Sequence, residues 1–381
     1  MQYFLSKEAV LKWIERPSLY NTQTDELYEL DDESFEFLQN CASETGCLTE
    51  RNEFVDYCVT EGLLTLEIIS GKRPTLIRSP QPSLRYLELQ ITDRCNLHCR
   101  HCYIGENSAS ELSVDQITKI LAEFEDMQGL RLLITGGEPL LHSSFSEINR
   151  VLPQFFFRKV LFTNGLLLRE DLVSGLNVDE IQVSIDGTEH SHDALRGKGS
   201  FKKALTGIKL ALKHGFDVSV ASMVHAKNLE DFDEMEKLFS GLGIKDWTVD
   251  IPCIEGRLKT GKEFQVAPET GGKYLRYGYG AGLHTGAEGF GCGLHLVSVI
   301  ADGRVAKCTF YAERPLGRTE EGLRECWKRL KPVLLKDLTC DCEYLENCRG
   351  GCRYRAELSG EPAGKDLYKC SSYDILKKKE V

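Results

Sequence analysis

The chain has 381 residues, of which 41% are hydrophobic and 28% charged, an ordinary balance for a globular protein with room for two or three domains. Its net charge of −11 speaks against a broad nucleic-acid footprint, which needs a basic face. No apolar run approaches the roughly 18 residues of a membrane span, and the first residues lack a basic stretch followed by an apolar one. The sequence therefore predicts a cytoplasmic protein without a membrane or nucleic-acid partner.

In chain order, Ser18 to Asp31 reads as two short strands joined at Thr24-Asp25, followed by helices from Asp32 to Thr60. Pro74, Pro80 and Pro82 mark a linker. Strands are then predicted over 85–91, 131–134, 159–163, 180–185, 217–224 and 246–251, with helices between them. One helix opens on the capping box Ser113–Gln116 and carries Ile117, Ile120, Leu121 and Phe124 on its apolar face. Another begins at Ser200, with Ala204, Leu205, Ile208 and Leu212 facing the core. Six strands alternating with helices imply parallel β/α units, whose sites lie at the carboxyl ends of the strands. Four polar or glycine-rich segments fall at such ends: the loop after residue 91, Gly136–Pro139, Thr163–Gly165 and Ser184–Gly187.

The first of these loops carries the most specific signal. Cys95, Cys99 and Cys102 form a C-x-x-x-C-x-x-C run. Three thiolates so close on one loop can grip three corners of a [4Fe–4S] cluster and leave one iron open. A zinc knuckle completed by His98 or His101 is the competing reading. The chain holds fifteen cysteines, an odd number, and without an export signal a disulfide framework is not expected. Metal ligation makes that number tolerable in a reducing compartment, and clusters point to an oxygen-poor setting.

The cysteine run and Thr135-Gly-Gly-Glu-Pro139 resemble the signatures of the radical S-adenosylmethionine (SAM) superfamily. The resemblance implies a partial (β/α)6 barrel, a cluster on Cys95, Cys99 and Cys102, and SAM chelated at the open iron. It implies reductive cleavage of SAM to a 5′-deoxyadenosyl radical that abstracts hydrogen from substrate. It assigns Gly136, Gly137, Glu138 and Pro139 to the methionine amino group, and His101 to the adenine. Ser184, Asp186 and Arg196 are assigned to the ribose or carboxylate. Read from the residues alone, Ser184 and Asp186 serve equally well as helix caps, Arg196 as a surface ion pair, and His101 as loop packing.

The C-terminal segment adds Cys292, Cys308, Cys340, Cys342, Cys348, Cys352 and Cys370, and Val299 to Val305 reads as a hairpin with an Asp-Gly turn. This pattern resembles the SPASM auxiliary-cluster domain, with one departure: Cys340-Asp-Cys342 stands where the family writes C-x-x-C. The resemblance implies one or two auxiliary [4Fe–4S] clusters, one on Cys292, Cys308 and Cys352, the other on Cys340, Cys342, Cys348 and Cys370. Either Cys253 completes the first set, or that set is open to substrate and Cys253 is a small buried hydrophobe. Cys41, Cys47, Cys58 and Cys326 fit no pattern and read as packing residues. Structural zinc is the alternative here too.

Residues 18–67 resemble the small winged-helix-like α+β domains that bind leader peptides of ribosomally made peptides, such as the pyrroloquinoline-quinone peptide chaperone. An open sheet edge suits that role by strand addition. The expected organisation is an α/β fold in four stretches. These are a peptide-recognition domain at 1–75, the radical SAM partial barrel at 84–255, a connector at 256–290 and the SPASM domain at 291–381. The expected function is an oxidoreductase-type maturase that crosslinks or oxidises a precursor peptide, with flavodoxin or ferredoxin as electron donor. An anaerobic sulfatase maturase and a tetrapyrrole side-chain enzyme are the enzymatic alternatives. A cysteine-rich zinc module is the non-enzymatic one.

Overall fold

The computed structural model describes residues 1–69, 71–105, 108–284, 292 and 294–376, so parts of the expected connector and of the last segment lie outside the described residues. The N-terminal part folds as β1 (Gln2–Leu5), β2 (Ala9–Trp13), β3 (Pro17–Asn21), β4 (Glu26–Glu29), α1 (Asp32–Cys41), β5 (Cys47–Leu48), α2 (Glu53–Thr60) and β6 (Leu64–Thr65). Two three-stranded sheets result, in the orders β5-β1-β6 and β2-β3-β4. The strand–turn–strand at Thr24-Asp25 is present, with Asp25 at φ 68. Strands β1 and β2 were not predicted.

The next strands are β7 (Tyr86–Thr92), β8 (Arg131–Gly136), β9 (Arg158–Thr163), β10 (Glu180–Ser184), β11 (Asp217–Met223) and β12 (Asp246–Asp250), each within two residues of its prediction. All six run parallel in sequence order. Beyond β7 the sheet continues through β13 (Leu296–Val299), β14 (Arg304–Ala306) and β15 (Gly317–Arg318). Strand β13 adds parallel to β7, while β14 and β15 are antiparallel, so the nine-stranded sheet is mixed. The predicted hairpin exists, with Gly303 at φ 87 in its turn, and it extends the central sheet.

Helices cover the sheet: α3 (Val114–Asp126), α4 (Phe145–Val151), α5 (Glu170–Val173), α6 (Glu189–Arg196), α7 (Ser200–Lys213) and α8 (Phe232–Leu242). Helix α3 starts on the predicted capping box, and its four predicted apolar residues are its buried ones. In α7 the buried face is Ala204, Gly207, Ile208 and Ala211, while Leu205 and Leu212 are half-buried. The cause is close approach: a Cβ on Gly207 would stand 2.6 Å from the Gly165 carbonyl, so the helix turns its smallest residues to the sheet. Among the described residues no helix is long and apolar enough to cross a membrane.

The proline-bearing stretch differs from a free linker. The Arg73 guanidinium donates to the carbonyls of Leu5, Ser6 and Ala9, and Ser79 N donates to Trp13 O at 2.8 Å. Prolines there remove donors from a strap that is nonetheless docked along its length. The N-terminal sheet itself is fastened to the amino ends of the parallel strands. Lys12 Nζ donates to the carbonyls of Gly129 and Phe156 at 2.8 and 3.0 Å. Arg158 donates to Thr22 O and Gln23 O, Arg131 Nε donates to Asp25 Oδ1 at 2.8 Å, and Arg85 pairs with Glu15 at 2.7 Å.

Removing one member of such a buried pair strands the other. We expect Asp25→Ala to cost about 3 kcal/mol, read from the urea midpoint. Glu29→Ala, which removes the exposed partner of Arg16, should change stability by less than about 0.5 kcal/mol.

Candidate active site

The carboxyl ends of β7 to β11 surround a cavity of about 320 Å³. The cysteine loop forms one side of it and is stitched down by backbone contacts. Gly137 N donates to Thr92 O at 2.9 Å and Glu138 N to Arg94 O at 2.7 Å. Those contacts require the two glycines: a Cβ at Gly136 would meet Thr92 O at 2.2 Å, and one at Gly137 would meet Arg94 O at 2.4 Å. From the other side, Arg100 N donates to Leu195 O, Arg257 N to Cys102 O, and Asn164 Nδ2 to Asn96 Oδ1 at 2.7 Å.

Cys95, Cys99 and Cys102 all line the cavity, and none is in a disulfide. Burial pushes the Cys95 thiol up to about 11, with the neighbouring Cys99 and Cys102 adding to the rise, and burial raises Cys99 as well. Three thiols grouped on one loop, with burial raising Cys95 and Cys99, are deprotonated most readily by a metal, and the donor set fits an iron–sulfur cluster. Among the described residues, no three Cys, His, Asp or Glu side chains converge tightly enough for a single metal ion.

The other predicted residues divide into wall and support. Gly136, Gly137, His101, Ser184 and Arg196 line the cavity. His101 is held neutral, near 3, by burial and by the Arg196 charge, and among the described residues its Nδ1 has no hydrogen-bond partner. Glu138, fully buried, stands behind the wall. It accepts from Thr163 Oγ1 at 2.9 Å, Asn164 N at 2.8 Å and Leu140 N at 3.3 Å, tying the end of β9 to the end of β8. Burial lifts its carboxyl to about 7. Pro139 is buried beside it at the start of a short helical turn. Asp186 is also fully buried; it accepts from Arg196 Nε and from Met223 N. Burial alone would raise Asp186, but the Arg196 guanidinium holds it well below the usual carboxylate range. Arg196 is therefore an inward ion pair, set by Asp186.

The C-terminal cysteines gather in two groups. Cys340, Cys342, Cys348 and Cys370 line one small cavity, so the one-residue spacing of Cys340 and Cys342 does not separate them. In the second group Cys253 and Cys292 act on Cys352, whose thiol is pulled down while theirs are pushed up, and Cys308 adds to the rise at Cys292. Cys253 is brought to this group by Arg355 on the helix Arg353–Leu358. That guanidinium donates to Asp250 Oδ1 at 2.7 Å, Ile251 O at 3.0 Å and Asp366 Oδ2 at 3.0 Å, and Asp366 accepts Cys352 N at 2.8 Å. Cys253 and the neighbours of Cys308, Thr309 and Phe310, also line the main cavity. Cys326, Cys41 and Cys58 are buried in apolar cores, as read from the sequence.

Cavity residues not singled out from the sequence include Arg257 and Glu88. Arg257, beyond the last strand, carries no local signal. Glu88 did: the alternation of β7 places it and Gln90 on one face, and it lines the cavity.

The family model described as the radical SAM superfamily matches residues 89–239. An AdoMet-dependent heme synthase of Methanosarcina barkeri is 28% identical over 325 residues, covering 71% of this chain and 92% of that protein. A mycofactocin maturase of Mycolicibacterium smegmatis is 27% identical over 313 residues, covering 72% and 80%. Several other curated relatives are matched over only 38% to 52% of their own length. The crystal structure of Streptococcus suis SuiB bound to precursor peptide SuiA superposes with a TM-score of 0.68 over 96% of this chain and 98% of that one, at 14% identity, which is a likeness of fold.

A test of the second cysteine group follows from Cys253. Anaerobically reconstituted Cys253→Ala should lose about four irons per chain relative to wild type, whereas Cys326→Ala should keep its full iron. Unchanged iron in Cys253→Ala would return that residue to a packing role.

Proposed function

We propose that the chain, whose residues 89–239 match the radical SAM superfamily, is a member that modifies a ribosomally made precursor peptide by hydrogen abstraction, installing a crosslink or an oxidised residue. The observation that carries this reading is the shared chamber: one cavity is walled both by the three-cysteine loop and by Cys253, Thr309 and Phe310 of the second cysteine group. A substrate in that chamber touches both. The mycofactocin maturase relative and the peptide-bound SuiB fold support the peptide substrate class. In finer terms, we read β7–β12 with their helices as a partial (β/α)6 barrel over 84–255, residues 291–381 as a SPASM domain, and residues 1–75 as the peptide-recognition domain.

Cys95, Cys99 and Cys102 would hold the SAM-site cluster; Cys253, Cys292, Cys308 and Cys352, and separately Cys340, Cys342, Cys348 and Cys370, would hold auxiliary clusters. When bound, the first cluster with SAM supplies a one-electron cleavage to methionine and a 5′-deoxyadenosyl radical, the electron coming from a flavodoxin or ferredoxin. The protein's own part is positioning and exclusion. Gly136 and Gly137 allow the β8 end to lie against the cysteine loop, leaving backbone groups at the wall. Asp186 fixes the direction of Arg196, which presents a cation to a carboxylate or hydroxyl of the cosubstrate. His101, neutral, offers an uncharged ring face. Phe162, Met223, Pro252 and Phe310 make much of the wall apolar, which excludes water and stray hydrogen donors.

The experiment has two arms. Replacing Cys95, Cys99 and Cys102 together by Ala should abolish 5′-deoxyadenosine formation by the reduced enzyme. Wild-type enzyme with SAM and reductant should shift the mass of a short peptide encoded beside its gene by loss of two hydrogens. Conversion of a sulfatase-derived peptide or a tetrapyrrole, with no change in any such precursor, would overturn the peptide reading in favour of the other two enzyme classes.

A further inference from the structure

The chamber contains one charged group that neither SAM nor the cysteine loops account for. Glu88 lines the cavity from β7, together with Phe162, Gln182 and Ala221 of the other strands. It lies four residues before Thr92, about 13 Å down the strand from the cysteine loop. Ser298 Oγ donates to its Oε2 at 2.6 Å, and among the described residues no cation pairs with it. The other charged side chains in the wall each have polar partners, although Asp93 Oδ1 has none among the described residues. Arg196 is held by Asp186, and Arg257 donates to the carbonyls of Cys99 and Gly105. Asp93 accepts from Ser108 N and Oγ at 2.9 and 2.6 Å.

An interior carboxylate without a counter-ion is costly, and neither the packing of β7 nor the β13 pairing needs one at this position. Burial lifts its carboxyl to about 7, against the lowering by its hydroxyl partner Ser298. Aromatic faces accompany it. Tyr103, Phe162 and Phe310 line the same cavity, and the rings of Tyr103 and Phe310 lie 5.2 Å apart. A carboxylate beside aromatic faces is a receptor for an organic cation: the oxygen takes the charge and hydrogen bond, and the rings take the alkyl stem and add cation–π attraction.

Resting on the peptide-modifying reading, we propose that Glu88 and the Tyr103–Phe310 faces form a subsite that receives a basic side chain of the substrate peptide. A lysine-type chain reaching down the barrel would seat its ammonium at Glu88 and leave its methylenes along Phe162 and Phe310, beneath the position where SAM is bound. The subsite thus selects which part of a precursor enters the chamber, and by its depth it fixes how far a captured side chain descends.

The test uses anaerobically reconstituted full-length protein loaded with SAM, titrated calorimetrically with n-butylammonium, the side chain of lysine, and with 1-pentanol, similar in length but uncharged. We expect at least a tenfold preference for the ammonium. Glu88→Gln should abolish the preference, and Glu88→Asp, which keeps the charge one methylene back, should restore part of it. Iron content and the melting profile of each variant report its fold. Equal affinity for the two probes, or a preference that survives in Glu88→Gln, overturns the subsite. So does competition between n-butylammonium and SAM, which would make Glu88 a contact of the cosubstrate. Failure here leaves the precursor mass-shift experiment with wild-type enzyme standing, so the two readings fall separately.

Discussion

The Arg355 guanidinium joins the two parts of the chain that share the chamber. Its donors are divided among Asp250 and Ile251 at the end of β12 and Asp366 before the last helix. A buried ion pair gains little over apolar packing unless its remaining donors and acceptors are also used. Here they are: Asp366 also accepts Cys352 N, and Arg355 takes a carbonyl as well as two carboxylates. The consequence is geometric. Pro252 and Cys253, leaving β12, have to pass beside Cys352, a residue about a hundred positions later in the chain. Without that clamp, the parallel strands would still present the cysteine loop, but the second cysteine group would lose its buried tie to the end of β12 and keep only contacts such as Tyr354 Oη to Glu255 and Tyr368 Oη to Val266 O.

The two ends of the parallel strands are put to opposite uses. At the carboxyl ends, glycines, thiols and neutral polar groups leave space. At the amino ends, charge fills it: Arg158 joins Glu180, Asp217 and the Thr22 and Gln23 carbonyls, and Arg131 holds Asp25. The β3–β4 turn is therefore a plug in the end of the sheet remote from the chamber. On the proposed reading, β4, which pairs only with β3 among the described strands, is the edge open to a peptide, since β2 is covered by its contacts with Gln128, Gly129 and Phe156. A peptide added there begins at the amino end and has to travel at least a strand length, about 20 Å, along the outside before it reaches the chamber. Recognition and chemistry are then separated by the height of the sheet, and a leader some distance from the modified residue is what that separation accommodates.

Much of this was legible in the sequence, and the reasons are local. Period-two and period-3.6 patterns fixed β7 to β12 and α3, because each buries one face against a single layer. The cysteine spacing and the Gly-Gly turn were readable because loop geometry needs those residue types at those separations. Long-range pairings were not readable. Nothing near Cys253 announces Cys352, and nothing in Val299–Val305 says that its hairpin continues the central sheet beside β7. That the linker at residues 71–83 is docked was not readable either, because prolines signal an irregular backbone and say nothing of what it packs against. Strands β1 and β2 escaped because their packing partners lie in other segments, including α1, α3 and the strap.

The charge of the chain shows the same contrast between average and place. Residues 1–70 hold 15 acidic and 4 basic residues, while the remaining 311 hold 43 of each. The net charge of −11 is thus the charge of the N-terminal part alone, and the body that carries the chamber is neutral. A whole-chain argument against a polyanionic partner applies to the appended part directly and to the body only through its lack of basic excess. Long-range steering by net charge therefore originates beyond the amino ends of the strands, away from the cysteines, and is felt within about a Debye length at physiological salt. Inside the chamber, selection falls to short-range groups such as Glu88, Arg196 and the aromatic faces, because the surrounding body carries no net charge to steer a partner from a distance.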